Sequence, residues 1–351
     1  MPLDEPRWWY GDGSGGFAER LLAPLGDLYG AVVERRFRTD AYRSPLPVIC
    51  VGNFTAGGTG KTPLIRFLRE ALARRGMAAA CLSRGYGGSL AGPVWVAPDR
   101  HTAHEVGDEP LLLARSGESL GARVMVARDR KAGVAAIASA GDLACILMDD
   151  GLQNPSVAKD LSIAVVDARR GFGNGRVIPA GPLRARLSFQ LGLVDCIVVM
   201  GGDAADAGSS VFDTLKTLFH GPVLRGTAKP AGDTDWIAGN NLFAYAGIAN
   251  PERFFRMLEG FGPRSLVRRA FKDHHAFTAT DAARLLADAE DAGALLVTTE
   301  KDLARLAGLP GAAAMLAARS RTLPIAVTFD ERDLVRLDAL LDGVLKGGRW
   351  A

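Results

Sequence analysis

Residues Thr55-Ala56-Gly57-Gly58-Thr59-Gly60-Lys61-Thr62 stand between an apolar run at 47–51 and a helical pattern that begins at Pro63. A strand, a glycine-rich loop and a helix start, in that order, leave few folds open. Glycines let successive backbone N–H groups curl around an anion, and the helix turns its positive end toward it. The arrangement suits a nucleoside triphosphate. Lys61 reaches the β- and γ-phosphates, and Thr62 offers a hydroxyl to Mg²⁺. The cradle is expected to comprise Gly57, Gly58, Thr59, Gly60, Lys61 and Thr62. The loop departs from G-x-x-x-x-G-K-[ST] at its first position, where Thr55 replaces glycine.

Around this loop, strand-like and helical runs alternate. Strands are expected at 47–51, 78–83, 122–127, 144–148, 161–166 and 196–200, with helices at 63–75, 110–116 and 128–140. Alternation of this kind argues for a parallel sheet covered on both faces, with ligands at the carboxyl ends of its strands. Near residue 226 the texture changes. Residues 227–235 are polar with Gly and Pro, a linker signal. Strands at 243–248 and 295–298 and helices at 251–259 and 281–289 follow. At 351 residues, two lobes are expected. The fold class is α/β, a P-loop NTPase-like parallel sheet with helices on both faces, plus a smaller C-terminal α/β lobe. The expected divisions are an N-terminal segment 1–45, a core 46–226 and a lobe 227–351.

A net charge of +3, from 42 basic and 39 acidic residues, gives no basis for nucleic-acid binding. Cys50, Cys81, Cys145 and Cys196 lie in or beside apolar runs without any C-x-x-C pair, and read as buried thiols of a reducing cytosol. No run of about 18 apolar residues occurs, so no membrane-spanning helix is expected. Asp4, Glu5 and Arg7 stand where a signal peptide would carry a basic run, so none is expected either. Residues 17–38 carry Leu21, Leu22, Leu25, Leu28, Tyr29, Val32 and Val33 at helical spacing, with Pro24 as a kink or break and Arg35, Arg36, Arg38 and Arg43 at the end. Two readings stand: a helix docked on the core, or a basic amphipathic element on an anionic membrane surface.

Three further clusters carry chemistry. Asp149 and Asp150 end the apolar run 144–148, where a P-loop enzyme keeps an acidic group for Mg²⁺; a turn or helix cap is the alternative. Asp108 and Glu109 precede Pro110. They either cap a helix or supply a carboxylate that accepts a proton from an acceptor hydroxyl. Residues 167–188 interleave Arg169, Arg170, Arg176, Arg184 and Arg186 with Gly, Asn174 and Pro, which suits phosphate-bearing ligands or a solvated basic loop. In the second lobe, Asp273-His274-His275 offers a histidine that can tune a carboxylate.

As a set, these residues resemble the tetraacyldisaccharide 4'-kinase (lipid A 4'-kinase) family. The resemblance runs from about residue 24 to about 302. It rests on the ordered motifs Val51-Gly52-Asn53, Gly57-Gly58-Thr59-Gly60-Lys61-Thr62-Pro63, Leu82-Ser83-Arg84-Gly85-Tyr86-Gly87 and Gly107-Asp108-Glu109-Pro110. Asp149-Asp150-Gly151-Leu152-Gln153, Ile178-Pro179-Ala180-Gly181-Pro182-Leu183-Arg184, Asp273-His274-His275 and Thr298-Thr299-Glu300-Lys301-Asp302 follow. The short polar residue at Thr55 is typical of the family. Asn154 after Gln153, where His is expected, and Ala185 after Arg184, where an acid is common, depart from it.

The resemblance implies transfer of the ATP γ-phosphoryl group to the 4'-hydroxyl of a tetraacylated disaccharide 1-phosphate, peripherally, at the cytoplasmic face of a bacterial inner membrane. ATP and Mg²⁺ are the implied cofactors. Lys61 and Thr62 would hold phosphates and Mg²⁺, with Asp149 and Asp150 as the acidic metal-site pair. Asp108 would be the general base, with His274 raising its basicity once two lobes close. Arg84, Tyr86, Gln153, Asn174, Arg176 and Arg184 are the substrate-side candidates. The amphipathic segment becomes a membrane-contact element. The rival readings are a P-loop kinase of another acceptor and a membrane-associated P-loop ATPase switch. Ala56 stands where partitioning ATPases keep an early lysine, and Thr299-Glu300-Lys301-Asp302 matches the guanine motif N-K-x-D only loosely.

Overall fold

The computed structural model describes residues 5–11, 16–116, 123–201 and 208–346. The chain forms two compact units, each assembled from separate stretches. It begins in the first unit with α1 (Gly16–Arg36), β1 (Val48–Asn53), α2 (Lys61–Arg74) and β2 (Ala79–Ser83). Gly85–Arg128 belongs to the second unit and carries β3 (Val94–Trp95), α3 (Ala103–Val106), α4 (Asp108–Arg115) and β4 (Arg123–Val126). The first unit resumes with α5 (Arg130–Ala138), β5 (Cys145–Asp149), β6 (Leu161–Asp167), α6 (Leu187–Leu191), β7 (Cys196–Gly201), α7 (Gly208–Leu218) and β8 (Val223–Pro230). The second unit takes β9 (Asn241–Ala246), α8 (Pro251–Glu259), β10 (Ser265–Ala270), α9 (Ala279–Asp291), β11 (Leu295–Thr298), α10 (Glu300–Leu306), α11 (Ala312–Arg319) and β12 (Arg321–Thr322). The chain closes with β13 (Ile325–Phe329) and α12 (Glu331–Leu345).

In the first unit β8, β7, β6, β1, β5 and β2 lie side by side in that order, parallel throughout. Every residue of β1, β5 and β6 is buried. That is the signature of strands covered on both faces, and it explains their continuous apolar runs. The chain moves from β1 toward β2 on one side, and later from β5 to β6 on the other. The switch point of the sheet is therefore at β1, where the glycine-rich loop emerges.

The second unit holds a parallel sheet in the order β10-β9-β11-β12. Alternation along β9 sorts its two faces. Phe243 and Tyr245 pack with Ala282, Leu285 and Leu316 of α9 and α11, while Leu242 and Ala244 pack with Phe254, Phe255 and Leu258 of α8.

The fold class is the one expected, but the boundaries differ. Neither unit is a continuous stretch. Segment 85–128, expected in the core, clusters with the second unit, and α12, expected in the C-terminal lobe, clusters with the first. The reason for α12 is visible. Arg75 pairs with Asp338 at 2.6 Å and Asp342 at 2.8 Å, and Asp333 accepts the backbone N–H of Arg225 at 2.7 Å. Leu337 and Leu341 are fully buried. The expected linker begins inside β8, which runs to Pro230.

Helix α1 is continuous through Pro24. Its buried residues are Gly26, Gly30 and Val33, whereas Phe17, Leu21, Leu25, Leu28, Tyr29 and Val32 are exposed. A Cβ on Gly26 would stand 2.6 Å from the Val177 carbonyl oxygen, so glycine is what lets the helix approach. The helix thus docks through a glycine face and turns its apolar stripe outward. All four cysteines are buried and free, and burial pushes the Cys50 and Cys81 thiols up to about 11. Among the described residues, no helix is long and apolar enough to cross a membrane.

Candidate active site

The glycine-rich loop leaves β1 at Asn53 and enters α2 at Lys61. Gly57 and Gly60 take φ of 91° and 90°, a region that L side chains avoid. Two backbone bonds fasten the loop to the 176–186 segment: the Ala56 N–H donates to Pro182 O at 2.8 Å, and the Arg184 N–H donates to Phe54 O at 2.9 Å. Thr59 is buried, and its hydroxyl has no hydrogen-bond partner. A buried, partnerless hydroxyl in a glycine turn at a helix N-terminus fits a phosphate oxygen. Lys61 donates to Asn53 Oδ1 at 3.3 Å and stands 3.6 Å from Asp150. The Glu5 side chain lies against the loop: a Cβ on Gly57 would meet its Oε1 at 2.1 Å. That oxygen is buried without a partner, while Oε2 pairs with Arg170.

Asp149 and Asp150 sit at the carboxyl end of β5, beside β1. Asp149 accepts the Ser83 hydroxyl at 3.1 Å. Asp150, at φ 52°, takes both carboxylate contacts from Arg184 Nη1, at 2.7 and 2.8 Å. Burial pushes Asp150 up, but Arg184, Lys61 and Arg130 outweigh it and hold the carboxyl well below the usual range. Among the described residues, no group of three or more His, Cys, Asp or Glu is placed to hold a metal ion. A Mg²⁺ at such a loop takes much of its shell from phosphate and water, so one strand-end carboxylate and the Thr62 hydroxyl are a sufficient protein donor set.

Asp108 and His274 both belong to the second unit. Asp108 starts α4 and is buried; His274 lies in the turn after β10, at φ 57°. His274 Nδ1 is 3.0 Å from Asp108 Oδ2. Their meeting therefore needs no closure of one lobe on another, contrary to the expectation from sequence. The charge environment also runs opposite to the expected one. Burial raises Asp108, but the hydrogen bond from His274 and the charges of Lys301 and Arg305 outweigh it and hold the carboxyl well below the usual range. Arg305 contacts Asp108 at 2.6 Å and Asp302 at 2.6 Å, and Lys301 contacts Glu109 at 3.1 Å.

The substrate-side candidates divide. Tyr86 is exposed, with its ring centroid 5.7 Å from that of His274, and Arg84 is exposed in the first unit. The other four are engaged by the protein. Gln153 donates to Asn53 O at 2.8 Å and to Gln190 Oε1 at 2.6 Å. Asn174 donates to Ala180 O at 2.9 Å. Arg176 pairs with Glu19 of α1, and Arg184 pairs with Asp150. Sequence reasoning assigned no role to Arg305, Lys301 or Ser83, and left Glu109 between a helix cap and a proton-accepting carboxylate. Lys301 and Arg305 sit one helical turn apart behind the Thr299 cap of α10.

Residues 18–345 match the family described as tetraacyldisaccharide-1-P 4'-kinase. The chain belongs to this family. The tetraacyldisaccharide 4'-kinase of Nitrobacter winogradskyi is 45% identical over 348 residues, covering 98% of both chains. That of Dinoroseobacter shibae is 50% identical over 308 residues, covering 86% of this chain and 88% of its own. The crystal structure of LpxK from Aquifex aeolicus in complex with ATP has the same fold, with a TM-score of 0.70 and 22% identity; the match covers 94% of this kinase and all of that chain. This kinase is thus a phosphotransferase of a family that acts in lipid A biosynthesis, as the motifs led us to expect.

Proposed function

We propose that this kinase transfers the γ-phosphoryl group of ATP to the 4'-hydroxyl of a tetraacylated disaccharide 1-phosphate, at the cytoplasmic face of a bacterial inner membrane. The observation that carries the reading is the family match over residues 18–345 in a chain that keeps its phosphate loop, with the buried Thr59 hydroxyl awaiting a partner. Gly57, Gly58, Thr59 and Gly60 cradle the phosphates, and Lys61 neutralises charge on the transferring group. Thr62, Asp149 and Asp150 would hold Mg²⁺, which when bound neutralises phosphate charge. Asp150 pairs with Arg184 and Lys61, and Asp149 accepts the Ser83 hydroxyl.

Asp108 and His274 form the proton-accepting dyad. Tyr86, beside His274, and the exposed Arg84 are the candidates retained for contact with the sugar and its anion. Gln153, Asn174, Arg176 and Arg184 act on the acceptor indirectly, by shaping the segment around the loop. The outward apolar stripe of α1, with Arg35 and Arg36 in its last turn, is the surface for the bilayer that holds the acyl chains.

The test is a transfer assay with ATP, Mg²⁺ and the tetraacylated disaccharide 1-phosphate in mixed micelles. The phosphorylated lipid is the expected product. A folded protein that hydrolyses ATP without making it, or phosphorylates a different acceptor, overturns this reading and favours an ATPase switch or another kinase. Asp108→Ala and His274→Ala are each expected to lower turnover by about 10² or more while nucleotide binding persists. Near-normal turnover in both removes the dyad.

A further inference from the structure

Residues 5–10 lie on the phosphate loop as an arm with contacts of its own. The Trp9 indole N–H donates to Pro179 O at 3.2 Å, and the Trp9 carbonyl accepts the backbone N–H of Asn174 at 2.8 Å. Trp9 is buried, and Gly173, at φ 56°, has no side chain to block that carbonyl. The Tyr10 hydroxyl donates to Ala56 O at 3.4 Å. The arm, the loop and residues 167–182 all belong to the first unit.

The arm brings Glu5 to Arg170. Arg170 follows β6, where its backbone N–H and that of Arg169 donate to Asp167 Oδ1 at 3.0 and 2.9 Å. Its guanidinium lies 3.9 Å from the centre of the Tyr10 ring and pairs through Nη2 with Glu5 Oε2. Its Nη1 is 3.4 Å from where a Cβ on Gly57 would stand. Glu5 Oε1 fills that same space and is buried without a hydrogen-bond partner. A carboxylate with one oxygen buried and unsatisfied is costly to keep. Asn53 fixes which part of the loop is covered. Its carboxamide N–H donates to Gly57 O at 3.1 Å, and its Oδ1 accepts Lys61 Nζ at 3.3 Å. Gly57 and the ammonium that reaches the β- and γ-phosphates are thus one side chain apart.

We propose that Arg170 is a ligand of the ATP γ-phosphoryl group, and that Glu5 is a placeholder which ATP displaces from it. This deepens the ATP-dependent kinase reading and rests on it. Carboxylate and phosphoryl oxygens suit the same guanidinium fork, so one anion leaves as the other arrives. A guanidinium at that end of the cradle neutralises charge on the γ-phosphoryl oxygens. Glu5 cannot stay beside them, because two anions would then share one space at Gly57.

The exchange makes the arm sensitive to which nucleotide is bound. A ligand shifts an equilibrium only by its differential affinity for the two states. ATP competes with Glu5 for Arg170 and therefore opens the arm. ADP lacks the γ-phosphoryl group, so the Glu5–Arg170 pair persists over it. After transfer, Glu5 returns to Arg170 and the arm closes on the product state.

The deciding experiment is calorimetric titration of the full chain with ADP and with a non-hydrolysable ATP analogue, each with Mg²⁺. Arg170→Met is expected to lose about 10-fold or more in affinity for the analogue and to keep ADP within about twofold. The retained ADP affinity also shows that the variant folds. Equal losses for both nucleotides, or no loss for either, overturn the γ-phosphoryl assignment. Glu5→Gln is expected to tighten the analogue several-fold, to leave ADP within about twofold, and to add nothing in an Arg170→Met background. A gain that persists without Arg170 means that Glu5 acts by general charge alone and overturns the placeholder. The arm itself is followed by tryptic cleavage after Arg7, in the short turn Arg7–Trp9, with mass spectrometry of the released 1–7 fragment. Cleavage is expected to quicken with the analogue and not with ADP. Cleavage that slows with the analogue, or ignores it, overturns the proposal. If the unsubstituted protein binds neither nucleotide, the underlying reading falls first.

Discussion

Arg305 donates from Nε and Nη2 to a single oxygen of Asp108, at 2.8 and 2.6 Å, while its Nη1 holds Asp302 at 2.6 Å. Both carboxylates are buried, and they compete for one guanidinium. The outcome is uneven. Burial dominates at Asp302 and raises it, whereas donors dominate at Asp108 and lower it.

This asymmetry gives a pH-dependent stability. A carboxylate whose folded-state value is depressed contributes stability that is complete above its unfolded value, about 4 for Asp, and is lost as pH falls toward the folded one. The second unit is therefore expected to weaken on acidification below about pH 4. Thermal unfolding of the parent and Asp108→Asn across pH 6 to 3 checks this. The gap between them is expected to narrow with acid; a gap constant over that range contradicts the assignment.

Lys61→Met is expected to lower transfer by about 10² or more, since it removes a cation from the transferring phosphate. Its effect on unfolding temperature is expected to be small, because the 3.6 Å contact with Asp150 is backed by the Arg184 pair. A large loss of stability with little loss of rate would make Lys61 a structural cation.

Glu5 offers the opposite case. Its Oε1 is buried without a partner against Gly57, where it opposes any anion that enters the loop. Glu5→Gln is expected to tighten ATP binding several-fold at low salt, with a smaller gain at high salt as screening increases. Calorimetric titration decides it. Weaker binding in the variant would mean that Glu5 helps to build the nucleotide site.

The phosphate loop was legible from sequence because every element of it is local: an apolar run, glycines where φ is positive, and a helix start within one stretch. The dyad was named through the family resemblance, since 166 residues separate Asp108 from His274. Arg305 escaped because its contact with Asp108 spans 197 residues, and an arginine one turn after Lys301 reads as an ordinary solvated helix face. The interleaving of the units was hidden for a similar reason. Nothing in the apolar pattern of 85–128 says which core it joins. Arg184 was read toward substrate from its place between glycines and prolines, and its pairing with Asp150, 34 residues away in sequence, was not legible there.

Helix α1 shows where periodicity stops and packing decides. Its apolar spacing is the same whether the stripe faces inward or outward. The buried Gly26 and Gly30 settle the orientation, because the close approach to Val177 is made on their side. Two classes of substitution should then separate. Gly26→Val puts carbon within 2.6 Å of a carbonyl oxygen and is expected to cost a few kcal/mol of stability, as overpacking does. Leu21→Glu with Leu28→Glu changes exposed positions and is expected to leave unfolding within about 0.5 kcal/mol of the parent. That double variant is nevertheless expected to release the protein from vesicles containing anionic lipid, and to raise the apparent KM for the lipid acceptor with kcat and ATP affinity kept. Vesicle flotation and a micelle assay measure both. Unchanged flotation would leave the outward stripe without a bilayer to meet.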